Sequence, residues 1–200
     1  MSRNPSGLLA MAIAVASLVI ASLVGGMAVE GYSHLLHPLA WLGARQWGSA
    51  GTLFGVFGFV VPGLAAAWVA LGLRSDLPRA AGWPARIGAQ LALLAALAFA
   101  AQGLLPLDLE GEEGGASRWH ALAWLFWALA FPLGGLGLAL GLCREAGARA
   151  LAWVGGVAAV VVLAGAFFAG GWIGPALSQR LATAAWLAWS CYVAVASRRG

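Results

Sequence analysis

Six apolar runs, each close to the ~20 residues a helix needs to cross ~30 Å of hydrocarbon, constrain this chain more than any other feature. They extend over about 7–29, 51–73, 87–107, 119–142, 150–170 and 180–197, and the short stretches between them hold nearly every charge. A water-soluble domain carries about 25% charged residues, whereas this chain of 200 residues carries 9%, with 62% apolar. The expected fold is therefore all-α: one polytopic transmembrane bundle of six helices that takes up residues 1–200.

The first run follows a short polar start with Arg3. It is longer than the 7–15-residue apolar core of a secretory signal, so it is read as a retained helix. In the connection from Glu30 to Ser49, Trp41 and Trp47 flank a weakly amphipathic stretch around Leu39 and Leu42. Such tryptophans suit the headgroup layer, and the connection is expected to lie along the membrane surface. Arg74, Asp76, Pro78, Arg79, Trp83, Pro84 and Arg86 form a turn whose prolines and charges interrupt the helix. Asp108, Glu110, Glu112 and Glu113, interspersed with glycine, make an aqueous loop before the fourth run. Gly171, Trp172, Gly174, Pro175 and Ser178 join the last two runs.

Short cytoplasmic loops retain an excess of arginine and lysine. Alternate connections place Arg3, Arg74, Arg79, Arg86, Arg144, Arg149, Arg198 and Arg199 on one side, against Arg45, Arg118 and Arg180 on the other. Both termini are therefore expected in the cytoplasm, and most acids and all three histidines on the outer side. The net charge of +4 reflects arginines at the ends of runs and not a basic patch interleaved with aromatics, so nucleic acid is excluded as a partner. Cys143 and Cys191 both fall on the cytoplasmic side, where a disulfide is not expected, and neither belongs to a CxxC or zinc-spaced motif.

Within the runs the polar side chains are few: Thr52, Gln90, Gln102, Thr183 and Ser190. An intramembrane proton or ion path needs ionisable groups, so a pump or charged-substrate carrier is not expected. Gly51 with Gly55, Gly137 with Gly141, and Gly170 with Gly174 have the four-residue spacing that lets helices approach closely in lipid. These faces pack the bundle internally or meet a partner membrane protein or a second copy.

Glu30, Tyr32, His34, His37, Asp108 and His120 all fall at or just beyond helix ends on the outer side. Glu30, His34 and His37, at i, i+4 and i+7, would share one face if the first helix continued that far, although Gly31 and Pro38 oppose it. His120 opens the fourth helix and Asp108 closes the third. Such a set suits a metal held by His34, His37 and His120, or an acid and base beside a lipid headgroup. A bonded interfacial rim without chemistry is the competing account. No cofactor is expected: haem needs facing axial ligands, and only His120 is expected within a helix. No GxSxG elbow and no GxxxxGK loop is present.

The order of these features resembles the domain-of-unknown-function 998 family of bacterial and archaeal membrane proteins. The likeness rests on His37-Pro38-Leu39-Ala40-Trp41-Leu42-Gly43, then Phe57, Gly58 and Gly63, Leu105-Pro106-Leu107-Asp108, His120, and Gln179-Arg180 before a Trp-rich last helix. Ala40 and Gln179 depart from it, standing where a serine and an acid are expected. The resemblance implies a six-helix bundle without an established activity.

Three readings follow. The first is an accessory or structural multi-pass protein of a bacterial cytoplasmic membrane, partnered by membrane lipid. In the second, an enzyme acts on lipid or lipid-linked substrates at the outer leaflet, with His120 as base or ligand, Asp108 orienting it, and His37 or Glu30 completing the site. A subunit of a larger respiratory or photosynthetic assembly is the third.

Overall fold

The computed structural model describes residues 5–110, 115–145 and 147–196, and every described element is helical. Glu112 and Glu113 of the acidic loop, and Arg3, Arg198 and Arg199, lie outside the described residues. Helix α1 is Pro5–Ala28. Two short 3-10 turns, Leu39–Gly43 and Arg45–Trp47, lead into α2, Gly48–Phe54. A π-helical stretch, Gly55–Val60, joins α2 to α3, Val61–Asp76. Then follow α4 (Trp83–Leu104), α5 (Gly115–Leu142), α6 (Arg149–Phe167), the short α7 (Gly170–Ile173) and α8 (Pro175–Ala196).

Five of these rods are long and apolar enough to cross a membrane: α1, the α2–α3 rod from Arg45 to Asp76, α4, α5 and α6. Helix α8 has the length, at 22 residues, but Arg180 and its Gln, Ser, Thr and Trp side chains keep it outside that group. The helices pack in chain order as a ring, α1 on α3, α3 on α4, α4 on α5, α5 on α6, α6 on α8, and α8 back on α1.

Three boundaries differ from the sequence expectation, each for a proline or glycine reason. Trp83, Pro84 and Arg86 do not belong to the turn before α4 but to its first turns, where a missing proline N–H costs no helical bond. Pro175 likewise begins α8, so Ser178 and Arg180 lie inside a helix. Helix α1 stops at Ala28, and Gly31 takes φ +74°, a left-handed conformation that turns the chain away. Glu30, His34 and His37 therefore do not share a helix face.

Small residues set the interhelical distances. A Cβ on Gly88 would sit 2.6 Å from the Gly134 carbonyl oxygen, and one on Gly141 would sit 2.5 Å from the Ala85 nitrogen. The Gly137/Gly141 face is thus used between α5 and α4. Gly55 of the π stretch meets the backbone of Gly103 on α4 in the same way. Gly170 instead begins α7 and Gly174 follows it, at φ +86°.

Inside the ring, Phe99 stacks against Trp186 with centroids 4.4 Å apart and lies 5.6 Å from Trp127; Phe131 meets Trp189 at 5.1 Å. The buried indole N–H groups of Trp127, Trp186 and Trp189 have no acceptor there, so ring packing and not hydrogen bonding holds this core.

The π stretch leaves one carbonyl open, and a neighbouring helix closes it. Val61 N–H bonds back to Val56 O, five residues earlier, so the next bond in that register would run from residue 62 to Phe57 O. Pro62 has no N–H to make it. Ser17 of α1 donates its hydroxyl to Phe57 O at 2.5 Å, satisfying a carbonyl that lipid would leave bare.

Candidate functional site

The polar side chains singled out in the sequence gather at the end of the bundle where α1 and α4 finish and α2, α5 and α8 begin. They fall into three groups, each built around a different anchor.

The first is centred on Arg180. Its Nη1 donates to His37 O at 2.9 Å and to Ala176 O at 3.0 Å, and its Nη2 donates to the Tyr32 hydroxyl at 2.6 Å. Tyr32 stacks on His37 with centroids 5.7 Å apart and meets the edge of His34 at 5.0 Å; His37 continues the stack onto Trp41 at 4.6 Å. His37 Nδ1 accepts from the Ser33 backbone N–H at 3.0 Å, so in the neutral ring the proton is on Nε2. Burial holds the Tyr32 phenol above its ordinary pKa of 10.0, opposed by the Arg180 charge and hydrogen bond. The loop after α1 is thereby fastened to α8.

Asp108 anchors the second group. Gln46 donates its amide to Asp108 Oδ1 at 2.7 Å and accepts from Leu109 N–H at 3.2 Å. The Ser117 hydroxyl donates to Asp108 O at 2.9 Å and lies 3.0 Å from Asp108 N. Arg45, largely exposed, pairs with Oδ2 at 3.7 Å, and its backbone N–H bonds Leu107 O at 2.9 Å. An exposed pair of this length contributes ~0–1 kcal/mol. The hydrogen bonds of Gln46, Ser117 and the Arg45 backbone fix the chain leading into α2 against the α4–α5 connection.

His120 is the third anchor and is buried in α5. Its Nδ1 is 2.8 Å from Leu105 O and 3.2 Å from Gln102 O. Both are acceptors, so Nδ1 carries the proton. The reason lies four residues past Gln102: Pro106 has no N–H for that carbonyl, and α4 ends at Leu104. His120 acts as a C-cap supplied by the neighbouring helix, with Phe59 packed edge-on to its ring at 6.0 Å.

His34, His37 and His120 make no hydrogen bond to one another, and the Glu30 carboxylate is exposed with no bonded partner among the described residues. No three His, Cys, Asp or Glu side chains among the described residues are placed to hold a metal ion. Nor does any described Ser, Thr, Tyr or Cys donate to a histidine, which a base-activated nucleophile requires. The bonds that the three anchors do make close backbone ends and fasten loops.

Arg180, Gln46 and Ser117 carry much of the rim, yet the sequence marks Arg180 only as a topology charge and as part of the Gln179-Arg180 likeness, and the other two not at all. Pro106 was the available signal for the role of His120. No family model, curated protein or solved structure matches the chain.

Proposed function

We propose that this chain is an accessory or structural multi-pass protein of a bacterial cytoplasmic membrane, with six spans and both termini inside. One observation carries the non-catalytic reading: Arg180, Asp108 and His120 each direct hydrogen bonds to loops and helix ends. The arginine bias supports the orientation, and five apolar rods support residence in lipid, its main partner. Membership of the domain-of-unknown-function 998 family is part of the proposal. The motif residues that carry that resemblance, His37, Asp108, His120 and Arg180, are the ones that tie the rim together.

The test pairs stability with turnover. In purified protein, His120→Ala leaves the Leu105 and Gln102 carbonyls without their donor, at a cost of about 1–3 kcal/mol. Asp108→Asn is expected to weaken the Gln46 clamp in the same direction. Vesicles of bacterial lipid incubated with the wild-type protein are expected to remain chemically unchanged. A lipid product that disappears in His120→Ala, at an unchanged melting midpoint, would overturn the reading in favour of an enzyme.

A further inference from the structure

Helices α1 and α8 do not close completely on each other. Between them runs a groove of about 510 Å³ with Val15, Val19 and Leu23 on one wall and Ala184, Leu187 and Ala188 on the other. Its lining is mostly apolar, and its polar side chains, Ser22, His34, Arg180 and Thr183, lie toward the end where α1 finishes and α8 begins.

The state of Arg180 gives that end its meaning. Its bonds go to two carbonyls and one phenol, all neutral, and no carboxylate among the described residues pairs with it. A guanidinium has five N–H donors; three bonds leave two. A half-buried cation with unspent donors at the head of an apolar channel attracts an anion, and guanidinium geometry suits phosphate.

The groove's length identifies what the anion is attached to. From Arg180 to Cys191 along α8 is about 16 Å at ~1.5 Å per residue, close to half of a ~30 Å hydrocarbon core. That is the depth of one leaflet. Ala184 and Ala188 make a smooth floor over which a chain can lie, and the ring of His34 is held at the mouth against Gly26 and Tyr32.

We infer that the α1–α8 groove binds one anionic phospholipid, its phosphate on Arg180 and an acyl chain along Ala184 and Ala188. The inference rests on the reading of α1 and α8 as lying in lipid.

The experiment measures the melting midpoint of the full chain in neutral detergent with phosphatidylglycerol, with phosphatidylcholine of the same acyl chains, or with inorganic phosphate. Phosphatidylglycerol should raise the midpoint well above the other two, and native mass spectrometry should find one such lipid retained. Arg180→Gln should remove the difference between the two lipids. Because Arg180 also fastens the loop, a second variant, Ala188→Phe, blocks the groove at an exposed position without touching charge, and should abolish the retained lipid. Equal stabilisation by both lipids, or phosphatidylglycerol retained by Ala188→Phe, would refute the groove site. Stabilisation by inorganic phosphate alone would also refute it, showing an anion site without a lipid. Failure of the membrane reading is distinguishable, since the protein would then melt identically with no amphiphile present.

Discussion

At Gly88 a single hydrogen atom decides how two helices meet. Lipid offers no apolar driving force between helices, so attraction comes from dispersion, at ~0.1–0.2 kcal/mol per atom pair and only at contact distance. A Cβ at Gly88 would lie 2.6 Å from Gly134 O and 2.7 Å from Leu138 N, both backbone atoms that cannot rotate away. Gly88→Ala must therefore push α4 and α5 apart, and is expected to cost ~1–3 kcal/mol. Gly72, in α3, meets nothing within 4 Å of its Cβ position. There, alanine gains helix propensity, and Gly72→Ala should be neutral or stabilise by about 0.5–1 kcal/mol. Equilibrium unfolding of the two variants in the same detergent distinguishes them. Equal effects would mean that close approach at Gly88 does not hold the pair.

The element scale adds what no single residue contains, because a defect in one helix is repaired by another. Pro62 leaves Phe57 O without its backbone donor, and Ser17 of α1 supplies one. Ser17→Ala should cost on the order of 0.6 kcal/mol, the usual size of an interhelical hydrogen bond in a membrane protein. In a Pro62→Ala background residue 62 regains its N–H, so the same substitution should cost measurably less. A double-mutant cycle reads this coupling directly, and additivity of the two substitutions would remove the repair from the account. The rods themselves were legible in the sequence, since apolar length alone marks a helix that can cross hydrocarbon. Their ends were less so: Pro84 and Pro175 read as breakers but stand in first turns, where proline is tolerated. The π stretch was not legible, because a shift from i−4 to i−5 bonding leaves no apolar period behind. At the rim, His37, Asp108 and His120 stood out by residue type. Their partners did not, since Gln46 and Asp108 are 62 residues apart and Tyr32 and Arg180 are 148, separations that only the packed ring brings together.

Viewed as a whole, the ring has two unlike ends, and that asymmetry makes its orientation testable. Arg74, Arg79, Arg86, Arg144 and Arg149 surround one end, while Tyr32, Asp108, His120 and Arg180 mark the other. An arginine-rich end stays in the cytoplasm, so the proposed orientation turns the rim and its groove outward. The chain carries its own reporter, Cys143, exposed just past the end of α5. In intact cells, with Cys191 replaced by alanine, a membrane-impermeant maleimide should leave Cys143 unlabelled until the membrane is permeabilised. Leu35→Cys, in the exposed loop after α1, should label from outside without permeabilisation, because the α2–α3 rod, α4 and α5 separate the two positions. The span that hydropathy leaves open is α8, and it requires its own pair. Trp172, 92% exposed in α7, and Ala196, at the end of α8, are on opposite sides only if α8 crosses. With Cys143 also replaced by alanine, Trp172→Cys should label in intact cells and Ala196→Cys only after permeabilisation. Labelling of both from outside would leave five spans and place the C-terminus outside. Arg180 would then no longer head a channel one leaflet deep, and the ring would lie on the membrane along α8 instead of crossing it.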